Sequence, residues 1–460
     1  MFDIRTVQTF LDRVVDADAE HTVLVSEASV AELADRWQAA HIRPGDVVLL
    51  CLPNGKALLQ HFFAVMMAGG VPTIVGPHTP SARLREVADA FGARAIASFR
   101  PLPSNVFGVP IATIGGAHVH CCGRDNDPAA EPGEVVLMTS GTSGFSSGCL
   151  FDFGALLLNA DRHANAIGQS ESDTVLINLP LHFSFALVAQ ALASLVRGNR
   201  LVISGPPFHC PSYFRTLADH RVTVSSLTPI LARSLIDSVN WPDGLRVLSI
   251  GGDCLAPEQV EQLLAARPRG ELYLTYGLTQ AGPRVSTLAA HAEPPYRYSS
   301  VGRVHPGVTV ELRDLDDGSD MKQLFIQSAT VMKRRIGLLE GRGQSAAMAD
   351  SFIGTGDVFE QDADGYLYFK GRISDYIVRK GEKVCLAAIR RVAMRCPDVI
   401  RARTVVTKHE YGDDFELVLH VAERAEDNSA QALRSWLRKS EMPRAIRVVR
   451  GEEAQASAYK

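Results

Sequence analysis

Short apolar runs that alternate with helical segments are the feature that most constrains the fold of this chain. Residues 46–52 form one such run, a helical segment follows at about 56–67, and a second apolar run occupies 71–75. Comparable runs occur at 93–97, 174–177, 200–203, 222–224 and 245–250. Strands that alternate with helices form mostly parallel sheets covered on both faces. The sequence therefore predicts an α/β fold with doubly wound, mostly parallel sheets.

The pattern changes from about residue 305. The runs at 308–312 and 323–326 alternate apolar and polar residues and are separated by Asp/Gly turns, which predicts a small antiparallel or β-barrel-like part. A charged α+β segment follows residue 374. We therefore predict a large N-terminal domain, residues 1–373, and a small mobile α+β C-terminal domain, residues 374–460.

Composition excludes several classes of protein. The formal net charge is −4 and no long Lys/Arg run occurs, which argues against a nucleic acid as main partner. No apolar stretch approaches the ~18–20 residues that span a bilayer, and residues 1–5 do not resemble a signal peptide. These features predict a cytoplasmic protein with no membrane partner.

The eight cysteines fit that location as reduced thiols. His118, His120, Cys121 and Cys122 form the one cluster that suggests a metal. Because vicinal cysteines lack the usual C-x2-C spacing, we favour a poorly constrained loop there over a metal site.

A hydroxyl- and glycine-rich stretch follows the apolar run 135–138. Nine of the twelve residues 137–148 are Ser, Thr or Gly. Glycines let a backbone approach an anion closely, and Ser and Thr hydroxyls donate further hydrogen bonds. The stretch contains no lysine, so it is not an ordinary Walker loop. It is typical of an anion-binding loop of another kind.

Three further motifs follow in order. They are Tyr276-Gly277-Leu278-Thr279, Thr355-Gly356-Asp357, and Gly371-Arg372 followed by Asp375 and Ile377. Together with the loop, this order resembles the adenylate-forming superfamily: acyl- and aryl-CoA ligases, luciferases and peptide-synthetase adenylation domains. The resemblance covers nearly the whole chain.

The resemblance implies a two-step reaction. A small carboxylic acid attacks the α-phosphate of ATP in the presence of Mg²⁺, giving an acyl-adenylate and pyrophosphate. The thiol of coenzyme A or of carrier-protein phosphopantetheine then takes the acyl group. An amide-forming member would use an amine instead, so an acyl carrier protein is one of several partners that remain open.

The resemblance also implies roles for residues. The loop would hold phosphate oxygens, Thr279 would contact the α-phosphate, and Asp357 with Arg372 would bind the ribose. Tyr276 and Gly277 would lie against the adenine, and the turn 251–253 would line the acyl and adenine pockets. The loop residues concerned are Thr139, Ser140, Gly141, Thr142, Ser143 and Gly144, and the turn consists of Gly251, Gly252 and Asp253.

Two departures fall at the pyrophosphate end of the site. Ser147 stands where the family has a lysine, and Gln280 stands where a glutamate supports Mg²⁺. Loss of one charge-assisted contact costs about 1.5–3 kcal/mol, and a neutral amide oxygen binds the ion more weakly than a carboxylate. These departures raise the alternative of a catalytically weak relative that only binds a nucleotide or acyl ligand.

The C-terminal part argues against that alternative. Lys460 falls near the position of the family's catalytic lysine, which bridges the carboxylate and the α-phosphate. Ser374 occupies the hinge position, and Lys380 with Gly381 matches the loop that faces the thiol channel. The resemblance therefore predicts adenylation that depends strongly on Lys460 and on Mg²⁺.

Residues 179–187 should set the choice of acid. His182, Phe183 and Ser184 lie in this stretch, which contains no acidic residue to pair with an amine. An α-amino acid is therefore disfavoured, and aryl and aliphatic acids remain. The Phe-rich stretch favours a small aromatic acid, whereas His182 fits a hydrogen-bonded core histidine better than a substrate ligand.

Overall fold

The fold follows from a computed structural model that describes most of the chain. The described residues are 3–17, 25–122, 130–139, 147–236, 238, 241–315, 320–337, 352–379, 382–396, 399–407, 413–421, 433, 437 and 441–450.

All but the last of the described helices lie in the part of the chain that forms two large sheets, and the last helix packs in the C-terminal core. The described helices are α1 (Ile4–Asp12), α2 (Val30–Ala39), α3 (Lys56–Met67), α4 (Ser81–Ala90), α5 (Ser104–Phe107), α6 (Phe153–Ala166), α7 (Ser184–Ala186), α8 (Ala193–Arg197), α9 (Cys210–Asp219), α10 (Pro229–Arg233), α11 (Pro257–Ala266) and α12 (Leu386–Ala393). A π-helical segment, Leu187–Leu192, joins α7 to α8. The sequence predicted the bounds of α3 correctly, and this helix is buried from Ala57 to Val65.

The strands are short in the large sheets and longer towards the C-terminus. The first thirteen are β1 (Val14–Asp16), β2 (Val47–Leu50), β3 (Val71–Ile74), β4 (Ala95–Ser98), β5 (Ala112–Ile114), β6 (Ala117–Cys121), β7 (Glu134–Met138), β8 (Ser147–Asp152), β9 (Thr174–Ile177), β10 (Arg200–Ile203), β11 (Val224–Leu227), β12 (Val247–Gly251) and β13 (Glu271–Tyr276). The others are β14 (Ser286–Ala289), β15 (Arg303–Val304), β16 (Val308–Asp314), β17 (Lys322–Ser328), β18 (Arg334–Gly337), β19 (Ile353–Gln361), β20 (Leu367–Arg372), β21 (Tyr376–Arg379), β22 (Glu382–Cys385), β23 (Val399–Thr407), β24 (Asp414–Val421) and β25 (Ala445–Arg450).

Two eight-stranded sheets form the centre of the molecule. The first has the order β1-β10-β9-β11-β12-β13-β14-β15, and its strands are parallel from β1 to β13. The second has the order β18-β8-β7-β3-β2-β4-β6-β5, with a parallel centre from β7 to β4 and antiparallel edges. The predicted α/β class with mostly parallel sheets is confirmed. Strand β11 begins two residues later than predicted.

The smaller part after residue 305, for which the sequence predicted an antiparallel or β-barrel-like structure, forms an antiparallel sheet. Strands β16, β17, β19 and β20 form a four-stranded sheet in that order. Its apolar face buries Leu324, Ile326, Phe359 and Leu367, and it packs against the end of the first large sheet.

The prediction of a poorly constrained loop at the His/Cys cluster is wrong. Residues 117–121 form strand β6, which pairs with β4 and with β5. His120 is buried, and its Nε2 accepts a hydrogen bond from the Leu102 N–H at 3.2 Å. No group of three metal-ligating side chains occurs among the described residues. Alternation of Ala117 and Val119 with polar residues is the strand signal that the sequence carried there.

All eight cysteines are free thiols, and Cys51, Cys122 and Cys149 are buried.

A separate hydrophobic core lies in the C-terminal part and includes Ile377, Ile389, Phe415 and Leu433. The exact domain boundary at 373/374 stays a prediction. In the described part of the chain, every helix is too short or too polar to cross a membrane.

Candidate active site

The candidate site lies at the carboxyl end of two neighbouring parallel strands. Strand β12 ends at Gly251 and β13 ends at Tyr276, with Gly251 directly opposite Thr275. Ligands of open α/β sheets bind beyond the carboxyl ends of the strands. The motif residues Tyr276, Gly277 and Thr279 therefore lie where such a ligand is expected.

Asp357 and Arg372 reach the same place from the antiparallel sheet. They are directly opposite each other in the β19–β20 pair, and Arg372 Nε lies 3.4 Å from Asp357 Oδ1. The Tyr276 hydroxyl donates a hydrogen bond to Asp357 Oδ2 at 2.7 Å. The Thr355 hydroxyl accepts a hydrogen bond from the Asp357 N–H at 3.0 Å. These contacts bring three separate sequence motifs into one cluster.

Asp357 has one oxygen available for a ligand. Its side chain is 3 % exposed, and no described residue donates a hydrogen bond to Oδ1, because the contact with Arg372 is an ion pair without hydrogen-bond geometry. A carboxylate oxygen in this position can accept a hydrogen bond from a ribose hydroxyl. Because 58 % of the Arg372 side chain is exposed, this side chain has room to change its conformation when a ligand binds.

Burial shifts the pKa values of Asp357 and Tyr276. Desolvation raises the pKa of Asp357 above 3.8, although Arg372 and Tyr276 oppose the shift. Desolvation, followed by the nearby Asp357 carboxylate, raises the pKa of Tyr276 well above 10.0. Tyr276 is therefore a hydrogen-bond donor at neutral pH. Its ring also packs edge-on against Phe359, with ring centroids 4.8 Å apart.

A second contact joins the predicted α-phosphate residue to the predicted acid pocket. Thr279 begins a short 3₁₀ turn, Thr279–Ala281, and its hydroxyl lies 3.2 Å from the Ser184 hydroxyl at the start of α7. The segment before Ser184 is fixed by Asn54, which donates to the Leu179 carbonyl and accepts from the Leu181 N–H, both at 2.9 Å. Asn54 is a positioning residue whose role the sequence did not reveal.

Two glycines permit close packing at the site. A Cβ on Gly277 would lie 1.5 Å from the Pro283 carbonyl oxygen, and a Cβ on Gly251 would lie 2.4 Å from Thr275 Oγ1. Neither position can hold a side chain without movement of its neighbours. Gly252 has a positive φ of 96° and faces open space, so the backbone turns sharply where the strand ends.

The predicted phosphate loop connects the antiparallel strands β7 and β8. At its base the Thr139 N–H donates to the Ser147 carbonyl at 3.1 Å, and the two hydroxyls lie 2.7 Å apart. Ser147, at the position of the family's lysine, is buried in β8. Ser140, Gly141, Thr142, Ser143 and Gly144, together with Lys380, Gly381 and Lys460, lie outside the described residues.

The remaining predicted residues lie around this centre. Gln280 is half-buried, and its backbone carbonyl oxygen accepts a hydrogen bond from the Met332 N–H at 2.9 Å. His182 is also half-buried rather than in the core, and it packs on Phe183 at a centroid distance of 4.3 Å. Asp253 is exposed, and its carboxylate acts electrostatically on Arg233 and Arg401. Asp253 therefore interacts with neighbouring arginines.

Arg284 is a site residue that sequence reasoning missed. It is 3 % exposed, and its Cζ lies 3.7 Å from the centroid of the Phe185 ring. Burial alone lowers the pKa of Arg284 to about 9. An arginine within the otherwise neutral turn that follows Thr279 was the signal that could have revealed it.

The chain matches known proteins over most of its length. A model of the family described as "AMP-binding enzyme" matches residues 12–334. A 4-coumarate–CoA ligase-like protein of Oryza sativa subsp. japonica is 24 % identical over 93 % of this chain and 80 % of its own length. A salicyl-AMP ligase/salicyl-S-ArCP synthetase of Mycobacterium tuberculosis is 25 % identical over 87 % and 77 %.

Solved structures show the same fold. O-succinylbenzoate coenzyme A synthetase from Bacillus subtilis, solved in complex with ATP and magnesium ion, superposes with a TM-score of 0.76. The two proteins are 19 % identical over 96 % of this chain and 95 % of the other.

Proposed function

The chain belongs to the AMP-binding enzyme family, and from this premise we propose that it activates a small carboxylic acid with ATP. A carboxylate oxygen attacks the α-phosphorus, and the bond from that phosphorus to pyrophosphate breaks. The products are an acyl-adenylate and pyrophosphate. A thiol sulfur then attacks the acyl carbon, AMP leaves, and the thiol proton passes to solvent. The product is a thioester.

The observation that carries this proposal is that two contacts lie close together at the end of strand β13. In this proposal the nucleotide binds beside the Tyr276–Asp357 hydrogen bond, and the acid binds beside the Thr279–Ser184 contact. Tyr276 and Thr279 are three residues apart in the chain. A carboxylate beside Ser184 would therefore lie close to the phosphate of a nucleotide held by Asp357. Such positioning is a large part of catalysis when two anions must meet.

Magnesium, when bound, neutralises charge on the phosphates. The side-chain oxygen of Gln280 is a hard neutral ligand that suits this ion. This chain's own contribution is to hold the nucleotide through Asp357, Tyr276 and Arg372.

The acid pocket favours an aromatic or short aliphatic acid. The half-buried residues Phe183 and Phe185 flank Ser184 in the chain. Both phenylalanines precede the buried π-helical segment Leu187–Leu192. The acceptor is coenzyme A, carrier-protein phosphopantetheine or an amine. The similarity to a coumarate–CoA ligase-like protein supports the first acceptor, and the similarity to a salicyl-S-ArCP synthetase supports the second.

ATP–pyrophosphate exchange over a panel of acids tests the first step. We expect exchange with at least one acid, its loss in Lys460→Ala, and no change in Lys322→Ala, which alters an exposed lysine paired with Asp314. Product analysis with coenzyme A, a phosphopantetheinyl carrier protein and an amine would then identify the acceptor.

A second candidate function is nucleotide or acyl binding without efficient catalysis. It is favoured by one observation: Ser147, at the family's lysine position, is buried in β8 and hydrogen-bonded to Thr139. Absence of exchange with every acid, combined with measurable AMP binding, would support this candidate and contradict the ligase.

A further inference from the structure

Arg284 carries a buried charge that no described residue neutralises. Its Nε and Nη2 atoms are buried and have no hydrogen-bond acceptor. No acidic side chain in the described part of the chain forms an ion pair with it. A buried cation is costly unless it is paired and hydrogen-bonded. Among the described residues, the contact with the Phe185 ring offsets part of this cost, and a bound anion would offset more of it.

The groups that face Arg284 are neutral or positive. The Phe185 ring covers the guanidinium. His163 of α6 and His305 are near enough for its charge to act on them electrostatically. For both histidines, desolvation first and Arg284 second lower the pKa, so both are neutral at pH 7. Arg162 adds a further positive charge near His305. Among the residues that the structure describes, none is a counter-ion of Arg284.

Arg284 lies beside the proposed acid pocket. Its Nη1 atom is 3.4 Å from the point that a Cβ on Gly251 would occupy, so the guanidinium lies next to the end of strand β12. Phe185, which it covers, is adjacent in the chain to Ser184, and Ser184 contacts Thr279. Arg284 is therefore linked to the Ser184–Thr279 contact through Phe185.

The backbone at Arg284 is held firmly. Asn159, buried in α6, accepts a hydrogen bond from the Arg284 N–H at 2.9 Å and donates to the Arg284 carbonyl at 2.8 Å. This clamp fixes the position from which the side chain extends. A cation held in place before a ligand binds is suited to recognising an anion.

We propose that Arg284 binds a second carboxylate of the acid substrate, so that the pocket selects dicarboxylic acids over monocarboxylic acids of the same size. The inference rests on the proposed function, since the first carboxylate is the one that reacts beside Thr279. A guanidinium matches a carboxylate in shape and charge, and the pair is a strong hydrogen-bonding combination. The second carboxylate supplies the missing counter-ion.

Matched pairs of acids test the inference. Isophthalate is compared with benzoate, and glutarate with valerate, by calorimetric binding in the presence of AMP and by ATP–pyrophosphate exchange. We expect each dicarboxylic acid to be preferred roughly 10- to 100-fold. Arg284→Met should remove that preference and leave the monocarboxylic acids unchanged or improved.

Two further variants keep the test interpretable. Arg162→Met removes a neighbouring cation that already donates to the Ser328 hydroxyl, and it should keep the preference. Arg284→Lys retains a charge without the guanidinium shape, and it should keep part of the preference. Circular dichroism of all three variants shows whether they fold.

The outcomes separate the two proposals. Equal use of both acids in each pair, equal loss of both in Arg284→Met, or no binding of either dicarboxylic acid overturns the inference. Binding of a dicarboxylic acid that depends on Arg284, without any exchange, supports the inference and contradicts the proposed function.

Discussion

The Tyr276 hydroxyl and the Asp357 carboxylate are joined by a 2.7 Å hydrogen bond between two different sheets. Tyr276 ends the parallel strand β13, whereas Asp357 lies in the antiparallel strand β19. Because Tyr276 is protonated at neutral pH, it donates and the carboxylate accepts. The bond orients the Asp357 oxygen that we assign to the ribose.

Removal of the Tyr276 hydroxyl should weaken nucleoside binding. Tyr276→Phe keeps the ring on Phe359 but leaves Asp357 Oδ2 without its donor, so we expect the Kd for adenosine to rise roughly 10-fold. Tyr273→Phe is the matched control, because the Tyr273 hydroxyl donates to Glu271 at 2.7 Å on the same strand. Equal effects of the two variants in calorimetry would contradict the role of Tyr276.

Adenosine binding should weaken as the pH falls. Asp357 accepts hydrogen bonds best when ionised, and burial raises its pKa above 3.8. It therefore gains a proton at a higher pH than an ordinary aspartate, and affinity should fall as the pH is lowered from neutrality through the mildly acidic range. Adenosine is the probe because it carries no phosphate that titrates in this range.

Asp357→Asn is the variant for this pH dependence. It should bind adenosine weakly at every pH and show a flat profile over the same range. A wild-type profile that is equally flat would show that Asp357 does not hold the ligand in its ionised form.

A methyl group at Gly277 should disrupt the site and the fold. The added Cβ would overlap the Pro283 carbonyl oxygen at 1.5 Å, so the backbone between Tyr276 and Arg284 must move. We expect Gly277→Ala to lower the free energy of unfolding by about 3 kcal/mol and to abolish adenosine binding. Gly154→Ala, in α6 with nothing within 4 Å of its Cβ, should change stability by less than about 1 kcal/mol. Urea denaturation measures both.

Local patterns predicted the parallel strands, and the family resemblance assigned Asp357 and Arg372 to the same ligand, but neither predicted the contacts between distant segments. Asp357 and Arg372 belong to adjacent strands joined by a turn, so their pairing follows from sequence spacing. The Tyr276–Asp357 bond spans 81 residues and depends on how two sheets pack. Arg284 escaped notice because arginine is usually exposed, and only the structure shows Phe185 and Gly251 beside it.

Buried histidines should make the fold sensitive to acid. His61 in α3 is 1 % exposed and lies between Trp37 and Phe99, with ring centroids 5.9 and 6.2 Å away. Desolvation lowers its pKa from 6.5 to about 4. Above pH 6.5 the ring is neutral in both states, so it causes no pH dependence there. Between pH 6.5 and 4 the unfolded chain binds a proton that the folded chain does not, so stability falls as the pH falls.

The variant His61→Phe should remove this contribution, which amounts to at most about 3 kcal/mol. Phenylalanine retains edge-to-face contacts with Trp37 and Phe99 but cannot titrate. Urea unfolding at pH 7 and pH 5 measures the loss of stability in each protein. The wild type should lose more than the variant, because His163 and His305, whose pKa values burial also lowers, act equally in both. Parallel losses would show that His61 is not the group that takes up the proton on unfolding.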